Sequence, residues 1–410
     1  MIARMRRMPR FAPVLLALAL AACSGRAPGT SAQPTPSATT ESPTATVAPT
    51  TMPPTAKPTP TAKPTAKPTA TSTAVPPATG PAPAHFTPID FSFVGANVGW
   101  ALGQVCTDSN CSPRMARTTD SGHTWHASPY PTDVPAGAPE EGAVTQVRFG
   151  NLRNGWLFGA ALYSTHDGGN HWKKLSLGGG VYALEEAKNT TWVVTRACSG
   201  DPCTFTLWVA PQDSDAFVKR TVLPYHGDGT VQLVRYGAND AWLASRGSGT
   251  PRLYRTTNGG AAWTEVTDPC ATAFDYAGGQ WFSRYDASNE WILCGSDAGA
   301  GSQRKAVFHS TDGGRHWGTR RDLPNSGLVA DFFALGATQT ALLSTSHSGL
   351  RRTTNGGGAW TVVAPDCCDA GFGKIESIDH QHVWAIGVGA NAVFHSADRG
   401  AHWGKFAFTP

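Results

Sequence analysis

Nowhere in the 410 residues do apolar side chains recur at the three-to-four spacing of an amphipathic helix, which excludes helical bundles and α/β folds. The apolar run near the start, "FAPVLLALAL", is too short to cross a bilayer, so it is not a membrane-spanning helix. Charge is sparse, at 15% of residues, and its formal surplus of +4 is unevenly placed. The first 85 residues hold eight of the 33 basic residues and one of the 29 acids, Glu41. The remainder carries 25 basic against 28 acidic residues, a net of −3, so no basic footprint for nucleic acid exists.

What the front of the chain does contain is an export signal and a tether. Arg4, Arg6, Arg7 and Arg10 precede the apolar run, which closes in "LAAC" at Cys23. Small residues ahead of that cysteine match a lipoprotein signal over residues 1–22, with Cys23 as the lipidated residue. Residues 23–85 are mainly Thr, Pro, Ala and Ser, with the phrase "TAKPTAKPTA"; they bury too little apolar surface to offset ordering entropy and are expected to be disordered. Extended at about 3.1 Å per residue, the tether reaches on the order of 190 Å.

The folded part, residues 86–410, is built from a repeat. "TTDSGHTW" at Thr118 returns as "THDGGNHW", "TTNGGAAW", "STDGGRHW", "TTNGGGAW" and "SADRGAHW". Its acid or amide falls at Asp120, Asp167, Asn258, Asp312, Asn355 and Asp398, and its tryptophan at Trp125, Trp172, Trp263, Trp317, Trp360 and Trp403. The steps are 47, 91, 54, 43 and 43, and the double-length gap hides a degenerate copy near Asp213, for seven units. Ahead of each box runs a strand such as "VGWALG" or "NGWLFG", and ahead of that another alternating segment such as "VTQVRF". Short, evenly spaced strands between Gly-rich turns predict an all-β, seven-bladed β-propeller with four antiparallel strands per blade.

The boxes read as turns, not as catalytic sets. Ser or Thr, Asp or Asn, and glycine are what a tight turn requires, and the amides Asn258 and Asn355 cannot act as general bases. His123, His171, His316 and His402 stand within the boxes around the ring, so no metal or other cofactor is expected. Eight cysteines remain beyond Cys23. Cys106 with Cys111 and Cys198 with Cys203 are expected to close short loops, and Cys270 to pair with Cys294, while the pairing of Cys367 and Cys368 stays open.

The repeat resembles the Asp-box, or bacterial neuraminidase repeat, which marks the fold and leaves function open. Sialidases of that group carry an Arg-Ile-Pro motif that this chain lacks, and usually six blades. The xyloglucan-cleaving group generally uses two seven-bladed units, and this chain has room for one. A single exported propeller is most similar to the photosystem II stability and assembly factor family and its relatives in non-photosynthetic bacteria. That resemblance implies a non-enzymatic scaffold, anchored by lipid outside the cytoplasm, that binds a membrane or envelope protein. The alternative is a carbohydrate-binding or sialidase-like propeller acting on a glycan. The chain is expected to be a monomer.

One constellation is a candidate for binding. Three first strands end in arginine followed by an aromatic: Arg148-Phe149, Arg235-Tyr236 and Arg284-Tyr285. With the aromatics between blades, alternation sends Arg148, Arg235 and Arg284 to the central funnel, where they suit a carboxylate or phosphate of a partner. The competing expectation is that each pairs with a nearby acid such as Asp240, Asp286 or Glu290. Arg196 and Arg246 are weaker candidates for the same surface.

Overall fold

The computed structural model describes residues 80–107, 110–134, 144–198, 202–227, 229–246, 250–275, 277–364 and 370–408. The export signal, Cys23, the tether up to residue 79, and Cys367 and Cys368 lie outside the described residues.

The strands form seven separate sheets of four, each antiparallel and in sequence order. The first strands are Phe86–Phe93, Val144–Phe149, Gly180–Ala187, Thr230–Tyr236, Ala277–Arg284, Val329–Ala334 and Phe372–Ser377. Each touches the first strand of the next sheet, and the last returns to the first. The chain is therefore a seven-bladed propeller with these strands innermost.

Its core is divided into seven apolar clusters, one between each pair of neighbouring blades. The tryptophan of the second strand dominates six of them: Trp100, Trp156, Trp192, Trp242, Trp291 and Trp384 are all fully buried. Blade 6 has Leu342 instead. Flat indoles stack on an inner-strand ring of the following blade, as in Trp100 on Phe149 at 3.7 Å and Trp384 on Phe93 at 3.9 Å.

The boxes latch this packing. In each, the Ser or Thr hydroxyl accepts the N–H of the second glycine position, for example Gly169 to Thr165 at 3.0 Å and Gly314 to Ser310 at 2.9 Å. The carboxylate or amide Oδ1 accepts the N–H four residues on, from Thr124, His171, Ala262, His316, Ala359 and His402 in turn. Asp has a second oxygen to satisfy, and the sequence supplies a donor for it. Oδ2 takes Thr124 Oγ1 at 2.6 Å, His171 Nδ1 at 2.6 Å, and the rings of His316 and His402. Where Asn258 and Asn355 stand instead, that residue is alanine. The box acids are thus consumed by their own turns. Blade 3 departs from the pattern: Asp215 reaches back to blade 2, to His166 at 3.0 Å and Lys173 at 2.9 Å, and Phe217 fills the tryptophan's place.

Blade 7 keeps its own outer strand, Gly404–Ala407, so no strand is shared where the ring closes. Closure rests on packing and on polar bonds between blades 7 and 1. Phe408 meets Phe86 and Trp125 at 4.6 and 4.8 Å, and Trp384 Nε1 donates to Ser121 O at 3.1 Å. Ahead of Phe86, the chain is already engaged: Ala82 N donates to Trp125 O, and Ala127 N to Gly80 O, along the outer strand of blade 1.

Antiparallel order puts the ends of the inner strands and the boxes on one face, called upper here. The turns between second and third strands lie on the lower face. Cys106–Cys111 and Cys198–Cys203 close such turns in blades 1 and 3, and Cys270–Cys294 ties a short 3-10 turn to blade 5.

Candidate functional site: the central channel and its upper mouth

Inner strands are edge strands, so their outward N–H groups lack a ladder partner. In this ring, polar side chains of the preceding blade supply one. Asp90 Oδ2 accepts Val147 N at 2.8 Å, Gln232 Oε1 accepts Phe282 N at 2.9 Å, Asp331 Oδ2 accepts Ile375 N at 2.9 Å, and Glu376 Oε1 accepts Phe93 N at 3.0 Å. Ser92 and Ser283 do the same for Phe149 and Ala334. These stitches line a channel of about 960 Å³.

On the side of blades 7, 1, 2 and 3 the channel wall carries an alternating chain of charges. Asp90 pairs with Lys374 at 2.7 Å, Lys374 with Glu376 at 3.0 Å, Glu376 with Arg148 at 3.5 Å, and Arg148 with Glu185 at 3.2 Å. Burial alone would lower the two cations, but the flanking carboxylates outweigh it and raise both. Glu185 is raised, because burial outweighs the pull of Arg148. Next to it, burial pushes Glu186 up to about 8, although Gln212 Nε2 donates to its Oε2 at 2.8 Å.

The other side of the upper mouth is apolar. His380, at a left-handed φ of 60°, stands 4.5 Å from the ring of Tyr285 and 6.3 Å from Phe333. Tyr236 and Ile378 flank them, 44% and 39% exposed, among the few large apolar side chains left open in the described residues. All five line the channel.

Arg148, Arg235 and Arg284 all line the channel, as expected, but the geometry engages each of them in the wall. A blade is a radial sheet, so alternation sends side chains toward the preceding or the following blade and not simply inward or outward. In blade 2, Phe149 takes the stacking position against Trp100, and Arg148 faces blade 3 and the channel. In blade 4, Arg235 itself takes that position, 4.3 Å over Trp192. It donates to Thr190 O at 2.7 Å, Thr190 Oγ1 at 2.8 Å and Glu185 O at 3.3 Å, and Tyr236 is the residue that opens to the channel. In blade 5, Phe282 stacks on Trp242, and Arg284 turns the same way. Its side chain, 2% exposed, is held by Asp240 at 2.9 Å, Glu290 at 3.2 Å and the carbonyls of Asp286 and Ala287. Burial raises Glu290 to about 7 against the pull of Arg284. Arg148, Arg235 and Arg284 are therefore committed to the wall and its seams.

Arg196 and Arg246 are placed at the opposite mouth. They end second strands, so they pair with the starts of the inner strands, Gly180 and Thr230. Glu185 and Glu186 both sit on the inner strand of blade 3. The residues missed in the sequence are Asp90, Lys374 and Glu376 and the apolar side of the mouth. Polar residues at alternate positions of "PIDFSF" and "KIES" were the available signal. Among the described residues no group of three or more His, Cys, Asp or Glu is placed to hold a metal ion.

Glu186 makes a testable contribution to pH dependence. It faces Glu185 and Arg235, with Gln212 and Thr191 as its hydrogen-bonding neighbours. Its folded value of about 8 lies above the ordinary 4.5, so the folded protein holds a proton that the unfolded chain releases between those values. Stability falls as pH rises through that window. Glu186→Gln is expected to be more stable than the parent at pH 8.5 by about 1–3 kcal/mol and to show no gain at pH 4.5, read from urea midpoints.

Neither a protein-family model nor a curated protein matches the sequence. Among solved structures, YCF48 bound to a D1 peptide aligns with a TM-score of 0.54 at 16% identity, over 78% of this chain and 95% of that one. By fold, the chain resembles YCF48. YCF48 from Cyanidioschyzon merolae gives 0.51 at 16% identity, over 80% and 97%. A GH74 enzyme from Niastella koreensis reaches 0.43 at 13% identity, over 78% and 66%, too loose to support an argument. At such identities the likeness is one of fold.

Proposed function

We propose that this propeller is a non-enzymatic scaffold that binds a protein partner at the upper mouth of its channel, as an assembly factor does. Cys23 would carry the lipid that holds it at the membrane, outside the cytoplasm, and the partner would be a membrane or envelope protein. The observation that carries the reading is the mouth itself: exposed Tyr236 and Ile378 beside Tyr285, Phe333 and His380, open to a channel of about 960 Å³. Such a cup takes an apolar side chain from a protruding segment. The likeness to YCF48, one structure of which holds a D1 peptide, supports a peptide-binding role for the fold.

A second reading, glycan binding or cleavage, draws on one observation. The channel is not free of acids, and Glu186 at about 8 is a carboxylic acid near neutral pH. Against it, Asp90, Glu376 and Glu185 are each bonded to cations or backbone N–H groups, so no free carboxylate stands ready as its partner.

Co-purification from crosslinked cells separates the two. A discrete membrane protein is expected with the parent and not with the Tyr236→Ser, Ile378→Ser double variant, whose changes sit at exposed positions. Equal recovery from both proteins, or recovery of envelope polysaccharide alone, would remove the scaffold reading.

A further inference from the structure

Resting on the reading that the upper mouth takes a protein segment, we infer the chemistry of that segment: a lysine or arginine next to an aromatic or branched aliphatic residue. The cation sits against Glu185 on blade 3, and its apolar neighbour sits on the side formed by Tyr236, Phe333 and Ile378.

The charge chain carries the argument. Asp90, Lys374, Glu376, Arg148 and Glu185 hold three carboxylates for two cations. The deficit falls at the Glu185 end, because Lys374 serves two acids and Arg148 is shared between Glu376 and Glu185. Glu185 also has the most exposed side chain of the five, at 29%. Arg235, the remaining cation nearby, pulls on Glu185 only through space, its guanidinium being bonded to the carbonyls of Thr190 and Glu185 and laid over the indole of Trp192. An incoming ammonium or guanidinium supplies the missing charge at Glu185 as a charge-assisted hydrogen bond in a part-buried wall, where it counts for more than on an open surface. An incoming carboxylate meets the opposite situation, since Arg148 and Arg284 are already engaged and Arg235 lies between blades. Blade 4, which bears Tyr236, is the direct neighbour of blade 3 in the ring, so a cation and an adjacent apolar residue of one segment reach both places.

The test is an array of short immobilised peptides pairing each aromatic or aliphatic residue with Lys, Arg, Glu, Asp or Ser, adjacent or one residue apart, probed with the full-length protein. Peptides with Lys or Arg beside an apolar residue are expected to be captured roughly tenfold more strongly than their acidic counterparts. Glu185→Gln is expected to erase that preference while keeping the apolar contribution, and Tyr236→Ser with Ile378→Ser to lower capture of every class. Parent-like urea midpoints establish that each variant is folded. Preference for acidic or uncharged peptides, still lost on Tyr236→Ser with Ile378→Ser, would overturn the charge assignment and leave the protein-binding mouth standing. Capture by the parent no greater than by the variants would overturn both.

Discussion

Replacing Lys374 with methionine is expected to destabilise the propeller by about 3 kcal/mol, the lower end of what removing one partner of a buried ion pair costs, because the side chain keeps 21% exposure. The ammonium bridges Asp90 and Glu376 and donates to Phe91 O, which joins blade 7 to blade 1 where no strand is shared. Without it two carboxylates face one another in the channel wall. Lys173→Met is the control, since that lysine is 69% exposed against Asp215 and should lose less than about 1 kcal/mol. Urea unfolding of the three proteins at pH 7 measures the difference. Equal midpoints for Lys374→Met and Lys173→Met would show that closure does not depend on the charge chain.

Gly314→Ala should cost about 3–5 kcal/mol, and Gly122→Ala only about 1–2, although both are box glycines. Gly314 has φ +74° and lies against Trp242 of the preceding blade, so an added Cβ would overlap the indole Cη2. Gly122 has φ +94°, but its Cβ would find only ordinary contact with Trp125, at 3.5 Å. The first substitution meets backbone strain and overpacking together, the second backbone strain alone. Equal losses in urea unfolding would mean that the latch between box and tryptophan contributes nothing beyond the turn.

Those two glycines also mark how far the sequence could be read. Box spacing and the tryptophan strands specify seven blades, because the chemistry of a tight turn is local and repeats. The covariation of Asp with His or Thr, and of Asn with Ala, four residues on is equally local and was open to inspection. The channel was harder. Whether Arg235 or Tyr236 faces the lumen depends on which residue occupies the stacking position over Trp192, a tertiary fact that strand alternation alone does not fix. Blade 2 has Phe149 there and blade 4 has an arginine, so two look-alike dipeptides point in different directions. The partners of Lys374 include Asp90, far off in sequence, and are brought near only when the ring closes.

The most direct test of the upper mouth as a protein-binding site is photo-crosslinking in cells, with a benzophenone amino acid in place of Ile378 at the mouth or of Val218 on the outer strand of blade 3. Both positions are exposed, at 39% and 68%, so neither substitution disturbs the core. A discrete protein adduct from position 378 and none from position 218 is the predicted result. Adducts equal at the two positions, or present at 218 alone, would contradict it.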